Sequence, residues 1–108
     1  MRKVDSLPLW IGNAGDLKDV RAVCETVEAV VEVADSEPLA ELPRSLIRCR
    51  FPLSDGGENP AWLLLLAATT VSTFLQSGVP TLVCCSAGMS RSVCVAAAGI
   101  ALKKGISL

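Results

Sequence analysis

The sequence contains no histidine among its 108 residues. Without an imidazole the chain cannot build a Ser-His or Cys-His nucleophile pair, because both pairs use that side chain as the base. Most catalytic zinc sites also need histidine ligands and are excluded on the same ground. Any chemistry of this protein must therefore come from other residue types.

Long apolar runs and an excess of either charge are also missing. The ten basic and eleven acidic side chains leave a formal net charge of −1, whereas general nucleic-acid binding needs a basic surface. No apolar stretch reaches the roughly 18 residues of a membrane-spanning helix. The N-terminal residues contain no apolar signal core, so we expect a cytoplasmic protein with neither a membrane nor a nucleic acid as its partner.

Zinc-binding cysteine patterns are absent, although cysteine itself is not. The number of cysteines is odd, and their spacing matches no pattern of the C-x-x-C kind. They are Cys24, Cys49, Cys84, Cys85 and Cys94. We therefore expect free thiols in a reducing compartment. Apolar residues make up 51% of the chain, and this share predicts one packed globular domain over residues 1–108.

The order of the predicted elements indicates an α/β fold. Short apolar or alternating stretches between Gly and Pro breakers predict strands at residues 8–13, 27–34, 46–51 and 81–85. Helical spacing predicts helices at residues 15–25, 60–77 and 92–102. Alternation of this kind predicts a central, largely parallel sheet of four to five strands with helices on both faces.

Local patterns add detail to two of these elements. In the strand at 27–34, the alternation places Val31 and its apolar neighbours on one face and Glu32 on the other. Asn59 precedes Pro60, a pair that predicts a helix N-cap followed by the first helical residue. The helix should end before Gly78, which suits the residue just past a helix end.

Two helical segments are unusually apolar. The helix at 92–102 is apolar on every side, which predicts that it is enclosed on every side. The first half of the helix at 60–77 carries Trp62, Leu65 and Leu66 around its circumference. We expect another element or a partner to cover these side chains.

The segment CSAGMSRS, residues 85–92, separates the buried strand from the apolar helix. In an open α/β sheet, ligands bind at the carboxyl ends of the strands. Main-chain N–H groups in this bend, backed by the helix N-terminus, predict an anion site. The expected phosphate-binding residues are Ser86, Ala87, Gly88, Met89, Ser90 and Arg91.

Three side chains of this segment have the chemistry of a reactive site. The positive potential of the bend would favour the thiolate of Cys85 over the free thiol, whose usual pKa is ~8.5. The guanidinium of Arg91 can bind two oxygens of a phosphate. The hydroxyl of Ser92 can donate a hydrogen bond to the sulfur.

The segment resembles the C-x5-R-S loop of the protein tyrosine phosphatase superfamily, and its AGxSRS form is similar to the dual-specificity branch. LPLWIGN at residues 7–13 is similar to the N-terminal strand of that family. Asp55 lies upstream of Cys85 in a turn-rich loop after a strand, where the family has its general acid. The resemblance extends from about residue 7 to the end.

The resemblance implies a phosphomonoester hydrolase with a phosphocysteine intermediate. Cys85 would attack phosphorus, and Asp55 would protonate the leaving oxygen and then activate water. Arg91 and the loop amides would stabilise the transferring group, and Ser92 would help the sulfur to leave. The family needs no metal or other cofactor, and the implied substrate is a phosphorylated protein or a small phosphomonoester.

The sequence departs from the family pattern in two places. Cys84 stands where the family usually has histidine, so we expect activity that is weakened at most. The family continues with further helices after the loop helix, whereas this sequence ends in KKGISL. We therefore expect a domain without those C-terminal helices, or a homodimer that covers the apolar helix surface.

Alternatives to these assignments stay open. Glu58 is a rival to Asp55 for the role of acid. Cys84 either forms a vicinal disulfide with Cys85 or fills the core on the opposite face of the sheet. A phosphate- or phosphopeptide-binding module without turnover, and a thiol redox protein that uses Cys84 and Cys85, are the alternative functions.

Overall fold

The structure is a computed structural model that describes residues 1–34, 41–54, 58–85 and 90–105. Its strands are β1 (Arg2–Lys3), β2 (Leu9–Asn13), β3 (Ala29–Glu32), β4 (Ile47–Arg50) and β5 (Thr81–Cys85). Its α-helices are α1 (Val20–Thr26), α2 (Ala61–Gln76) and α3 (Ser90–Lys103), and a 3-10 helix spans Ala14–Lys18. A search of the described helices finds none with the length and apolarity that crossing a bilayer requires.

The strands form one sheet in the order β1-β2-β5-β3-β4. The four longer strands run parallel, and only β1 is antiparallel to its neighbour. Parallel strands end at a common edge, and the register places Asn13 of β2 beside Cys85 and Glu32 of β3 beside Cys84. The predicted largely parallel sheet is confirmed.

Helices cover both faces of this sheet, as the sequence predicts. The α3-side core contains residues of β2, β3, β5, α2 and α3, including Leu9, Val31, Val83, Cys85 and Val95. The α1-side core comprises Leu17, Val23, Val27, Val30, Leu82 and Cys84. Every residue of β5 is buried, because this central strand has strands on both sides and helices above and below.

The predicted strand at β3 is confirmed, and both of its faces are buried. Val30 lies in the α1-side core, whereas Val31 lies in the α3-side core. Helices that pack on the two sides of the sheet therefore cover both faces of this strand. The carboxylate of Glu32 is buried with them and forms an ion pair with Nε of Arg48 on β4, which offsets the cost of removing its charge from water.

The predicted helix at 15–25 is two helices. Asn13 and Asp16 form a reciprocal capping box at the start of the 3-10 helix. The carboxylate of Asp19 then accepts a hydrogen bond from the N–H of Ala22 at 3.2 Å and caps α1. An aspartate in the middle of a helical pattern therefore marks a new N-terminus here, because its short side chain competes for main-chain donors.

The two long helices pack closely at Gly99 of α3. A Cβ atom on Gly99 would lie 2.6 Å from Cγ1 of Val71 on α2, so only a residue without a side chain permits this approach. The opposite face of α3 is open, and Val93 is 44% exposed. The prediction that α3 is enclosed on every side is therefore wrong for the part of the chain that is described.

The N-terminal half of α2 also presents apolar side chains to solvent. Trp62 is 67% exposed, and Leu65 and Leu66 are about half exposed. Among the described elements, none covers these three side chains. They therefore form the apolar α2 surface, defined as Trp62, Leu65 and Leu66.

Candidate active site

Cys85 and Ser92 are in direct contact at the carboxyl edge of the sheet. Strand β5 ends at Cys85, and Ser92 lies in the first turn of α3. The thiol of Cys85 donates a hydrogen bond to the Ser92 hydroxyl over 3.3 Å, and both residues are fully or almost fully buried. Once the thiol loses its proton, the same hydroxyl is placed to donate to the sulfur.

Arg91 is held beside these residues by a main-chain partner. Its Nη1 donates a hydrogen bond to the carbonyl oxygen of Leu53 at 2.8 Å, and the residue is only 9% exposed. The side chain of Leu53 is itself buried in the α3-side core, so its carbonyl has a fixed position. The guanidinium is therefore anchored to the segment that precedes Asp55.

The predicted N-cap role of Asn59 is wrong. Its Oδ1 accepts a hydrogen bond from the N–H of Ser54 at 2.7 Å, and its Nδ2 donates to the Ser54 carbonyl at 3.1 Å. Helix α2 instead has Pro60 at its N-cap, without a side-chain hydrogen bond. Both polar atoms of the Asn59 side chain therefore bond main-chain groups of Ser54 and link these two residues.

Several predicted site residues lie outside the described residues. They are Asp55, Ser86, Ala87, Gly88 and Met89. The backbone of Ser90 begins α3, and the rival acid Glu58 is exposed. The structure thus brings Cys85 and Ser92 together and anchors Arg91 to the carbonyl of Leu53.

Cys84 points to the face of the sheet opposite Cys85. It is a free, buried thiol in the α1-side core, as strand alternation requires. Burial, followed by the Glu32 carboxylate, raises the pKa of the Cys84 thiol to about 12. The thiol therefore stays protonated at neutral pH, fits a core-filling role and is a poor partner for thiol redox chemistry.

Two functional contacts escape the sequence prediction. The carbonyl of Leu53 is a main-chain group, and no residue-type pattern marks it as the partner of Arg91. The Asn-Pro pair at residues 59–60 is a recognisable pattern, but the pattern predicts a helix N-cap and not a bond to an earlier residue. The two bonds of Asn59 go to main-chain groups of Ser54, so no residue type marks this use.

A groove with a volume of about 410 Å³ lies beside β1 and β2, and its lining includes Asn13 of β2 and Val93 of α3. Cys85, Ser92 and Arg91 are not among the residues that line it, so this groove is separate from the contact between Cys85 and Ser92. Within the described ranges, no group of three or more Cys, Asp or Glu side chains is arranged to hold a metal ion.

Solved structures match this architecture, whereas the comparisons of sequence find no match. No protein-family model matches the chain, and no curated protein matches it significantly. The crystal structure of human DUSP28 has a TM-score of 0.79 and 23% identity, covering 94% of this chain and 72% of that chain. A variant of human DUSP28 has the same TM-score of 0.79 and identity of 23%, covering 94% and 70%.

A viral structure gives a second match. OH1 from the Orf virus, described as a tyrosine phosphatase with triple substrate specificity, has a TM-score of 0.69 and 22% identity. The match covers 88% of this chain and 57% of that chain. The strand order and these neighbours together establish that the chain has a dual-specificity-phosphatase-like fold.

Proposed function

We propose that this protein is a cysteine-dependent phosphomonoester hydrolase that acts on a phosphorylated protein or a small phosphomonoester. The observation that carries the proposal is the contact between Cys85, at the end of the central strand, and Ser92, in the first turn of α3. A sulfur nucleophile at this position faces the N-terminus of α3, whose main-chain dipoles favour an anion. The buried Arg91 adjoins the same turn and adds a full positive charge.

In the proposed first step, Cys85 acts as a thiolate, its thiol proton having been released to solvent before the cycle begins, and the sulfur attacks phosphorus in line with the leaving oxygen. An S–P bond forms, the P–O bond to the alcohol breaks, and Asp55 delivers a proton to the departing oxygen. Arg91 and the amides of residues 86–91 stabilise the negative charge of the transferring phosphoryl group. The products of this step are a neutral alcohol and a phosphocysteine.

The proposed second step hydrolyses that phosphocysteine. The Asp55 carboxylate takes a proton from a water molecule, which attacks phosphorus and releases inorganic phosphate. Cys85 leaves as a thiolate, and Ser92 donates a hydrogen bond to the sulfur as its charge develops. The cycle returns each group to its starting state, and every proton transfer uses a side chain of this protein.

Acid quenching during turnover of para-nitrophenyl phosphate is the direct test. We expect mass spectrometry to find a phosphoryl adduct on the peptide that contains Cys85, because the intermediate is covalent. The exposed Cys24 supplies the matched control, since Cys24→Ser should leave the adduct in place. Turnover without the adduct contradicts the mechanism. Phosphopeptide binding by calorimetry without turnover would assign the chain to the binding-module alternative.

The proposed partner for the apolar α2 surface is a second copy of this chain. Three large apolar side chains that lie together at the start of one helix are unfavourable in water, and burial in a dimer would remove this cost. We expect sedimentation equilibrium to show a monomer–dimer equilibrium that Trp62→Glu shifts to monomer. Lys18→Glu, a charge change on the exposed 3-10 helix, should leave it unchanged. A wild-type chain that stays monomeric contradicts this partner.

The proposed compartment is the cytoplasm. The mechanism needs Cys85 as a free thiol, and all five cysteines are free, which fits a reducing environment. Subcellular fractionation tests this assignment, and recovery of the protein only from an oxidising compartment would contradict it.

A further inference from the structure

The chain between β4 and α2 is fixed on both sides of the position of Asp55. Before it, the buried side chain of Leu53 and the hydrogen bond from Arg91 to its carbonyl hold the backbone. After it, Asn59 reaches back to both main-chain groups of Ser54. Pro60 then leads into α2 with a φ of −56°, which its ring restricts.

The hydrogen bonds of Arg91 and Asn59 act on two consecutive peptide units. The carbonyl of Leu53 and the N–H of Ser54 belong to one unit, which accepts from Arg91 and donates to Asn59. The carbonyl of Ser54 belongs to the next unit, which accepts from Asn59. Because each peptide unit is planar, these bonds set the direction in which the chain leaves Ser54.

The sequence after Asp55 offers little control over its orientation. Gly56 and Gly57 follow it directly, and glycine restricts the backbone less than any other residue. Among the described residues, the backbone next to Asp55 is held on the side of Ser54, where the side chain of Asn59 makes two hydrogen bonds.

We infer that Asn59 is a positioning residue for the general acid, an inference that rests on the proposed function and on Asp55 as the acid. Asn59 makes the backbone before Asp55 rigid. The peptide unit that joins Leu53 to Ser54 bonds both to Asn59 and to Arg91. The acid and the phosphate-binding guanidinium thereby share one anchor. We expect this shared anchor to limit how far the Asp55 carboxyl can move from the leaving oxygen.

Leaving-group dependence tests the inference in the full chain. General acid catalysis matters most for a poor leaving group, and a small misplacement of a catalytic group slows a reaction strongly. We expect Asn59→Ala to lower kcat/KM by about 10-fold or more on phenyl phosphate, and by about 2-fold or less on a fluorinated umbelliferyl phosphate. Asn59→Asp keeps the acceptor for the Ser54 N–H and should retain part of the lost rate.

The matched control is Asp19→Ala, which removes a similar side-chain bond to a main-chain N–H in α1. It should lower thermal stability without any dependence on the leaving group. In an Asp55→Asn background, Asn59→Ala should have no further effect on the rate with phenyl phosphate, because residues that act through one another are not additive. Equal losses on both substrates, or full additivity with Asp55→Asn, would overturn the inference.

The same measurements separate this inference from the proposed function. A wild-type chain without turnover overturns the hydrolase itself. A leaving-group-dependent loss in Glu58→Gln but not in Asp55→Asn overturns Asp55 as the acid, and the positioning role with it. If Asp55→Asn shows the leaving-group-dependent loss but Asn59→Ala has wild-type rates on both substrates, only the role of Asn59 is overturned.

Discussion

Replacing Cys85 by serine is expected to abolish phosphomonoester turnover, with kcat lower by about 10⁴-fold or more. A serine hydroxyl stays protonated at neutral pH and is a far weaker nucleophile than the sulfur of cysteine. The chain has no histidine to activate that hydroxyl. Initial rates with para-nitrophenyl phosphate measure the loss directly.

The Cys85→Ser variant should fold normally, so its loss of rate can be assigned to chemistry. The substitution changes one atom, and the new hydroxyl can keep the hydrogen bond to Ser92 that the thiol makes at 3.3 Å. Its thermal unfolding midpoint should stay near that of the wild type, and it should still bind a phosphopeptide. Cys49→Ser, at a partly buried cysteine of β4, is a control for serine substitution and should retain activity. Undiminished turnover in Cys85→Ser would exclude the sulfur as nucleophile.

Replacing Arg91 by lysine is expected to lower kcat/KM by about 10²–10³-fold, the usual cost of removing a transition-state donor. Lysine keeps the positive charge but loses the planar fork that binds two phosphate oxygens at once. It also loses the Nη1 group that reaches the Leu53 carbonyl at 2.8 Å. The first loss weakens the contacts with the phosphoryl group. The second removes a hydrogen bond that holds the segment before Asp55.

Steady-state kinetics on Arg91→Lys should show a lower kcat as well as a higher KM, because a guanidinium in the proposed role would stabilise the transition state more than the substrate. Arg21→Lys is the matched control, since Arg21 is an exposed residue of α1 with an ion pair to Glu25. That control should leave both constants unchanged. A change in KM alone for Arg91→Lys would limit the arginine to substrate binding.

Cys84 departs from the pattern of the family that the sequence resembles. The family usually has histidine at this position, and here a buried thiol faces the α1-side core. Its pKa, raised to about 12 mainly by burial, keeps the thiol neutral at neutral pH. The residue therefore adds no charge behind Cys85.

The sequence by itself determined the alternation of the main strands and helices and the segment that we propose as the site. Gly78 follows α2 with a φ of +70°, a conformation that glycine adopts without strain. The apolar run Thr81–Cys85 between breakers became the buried central strand. These features are local, because they depend on the conformational preferences of neighbouring residues and on an apolar pattern that spans a few positions.

Only the tertiary structure decided which groups meet at that site. The contact of Arg91 with the Leu53 carbonyl joins residues far apart in the chain, and the use of Asn59 on Ser54 replaces the helix cap that its neighbour Pro60 suggests. The burial of Val30 and the exposure of Val93 likewise depend on which elements lie alongside them. Hydrogen bonds to main-chain atoms are open to every residue type, and burial is set by neighbours distant in sequence. Neither therefore leaves a pattern that the sequence alone reveals.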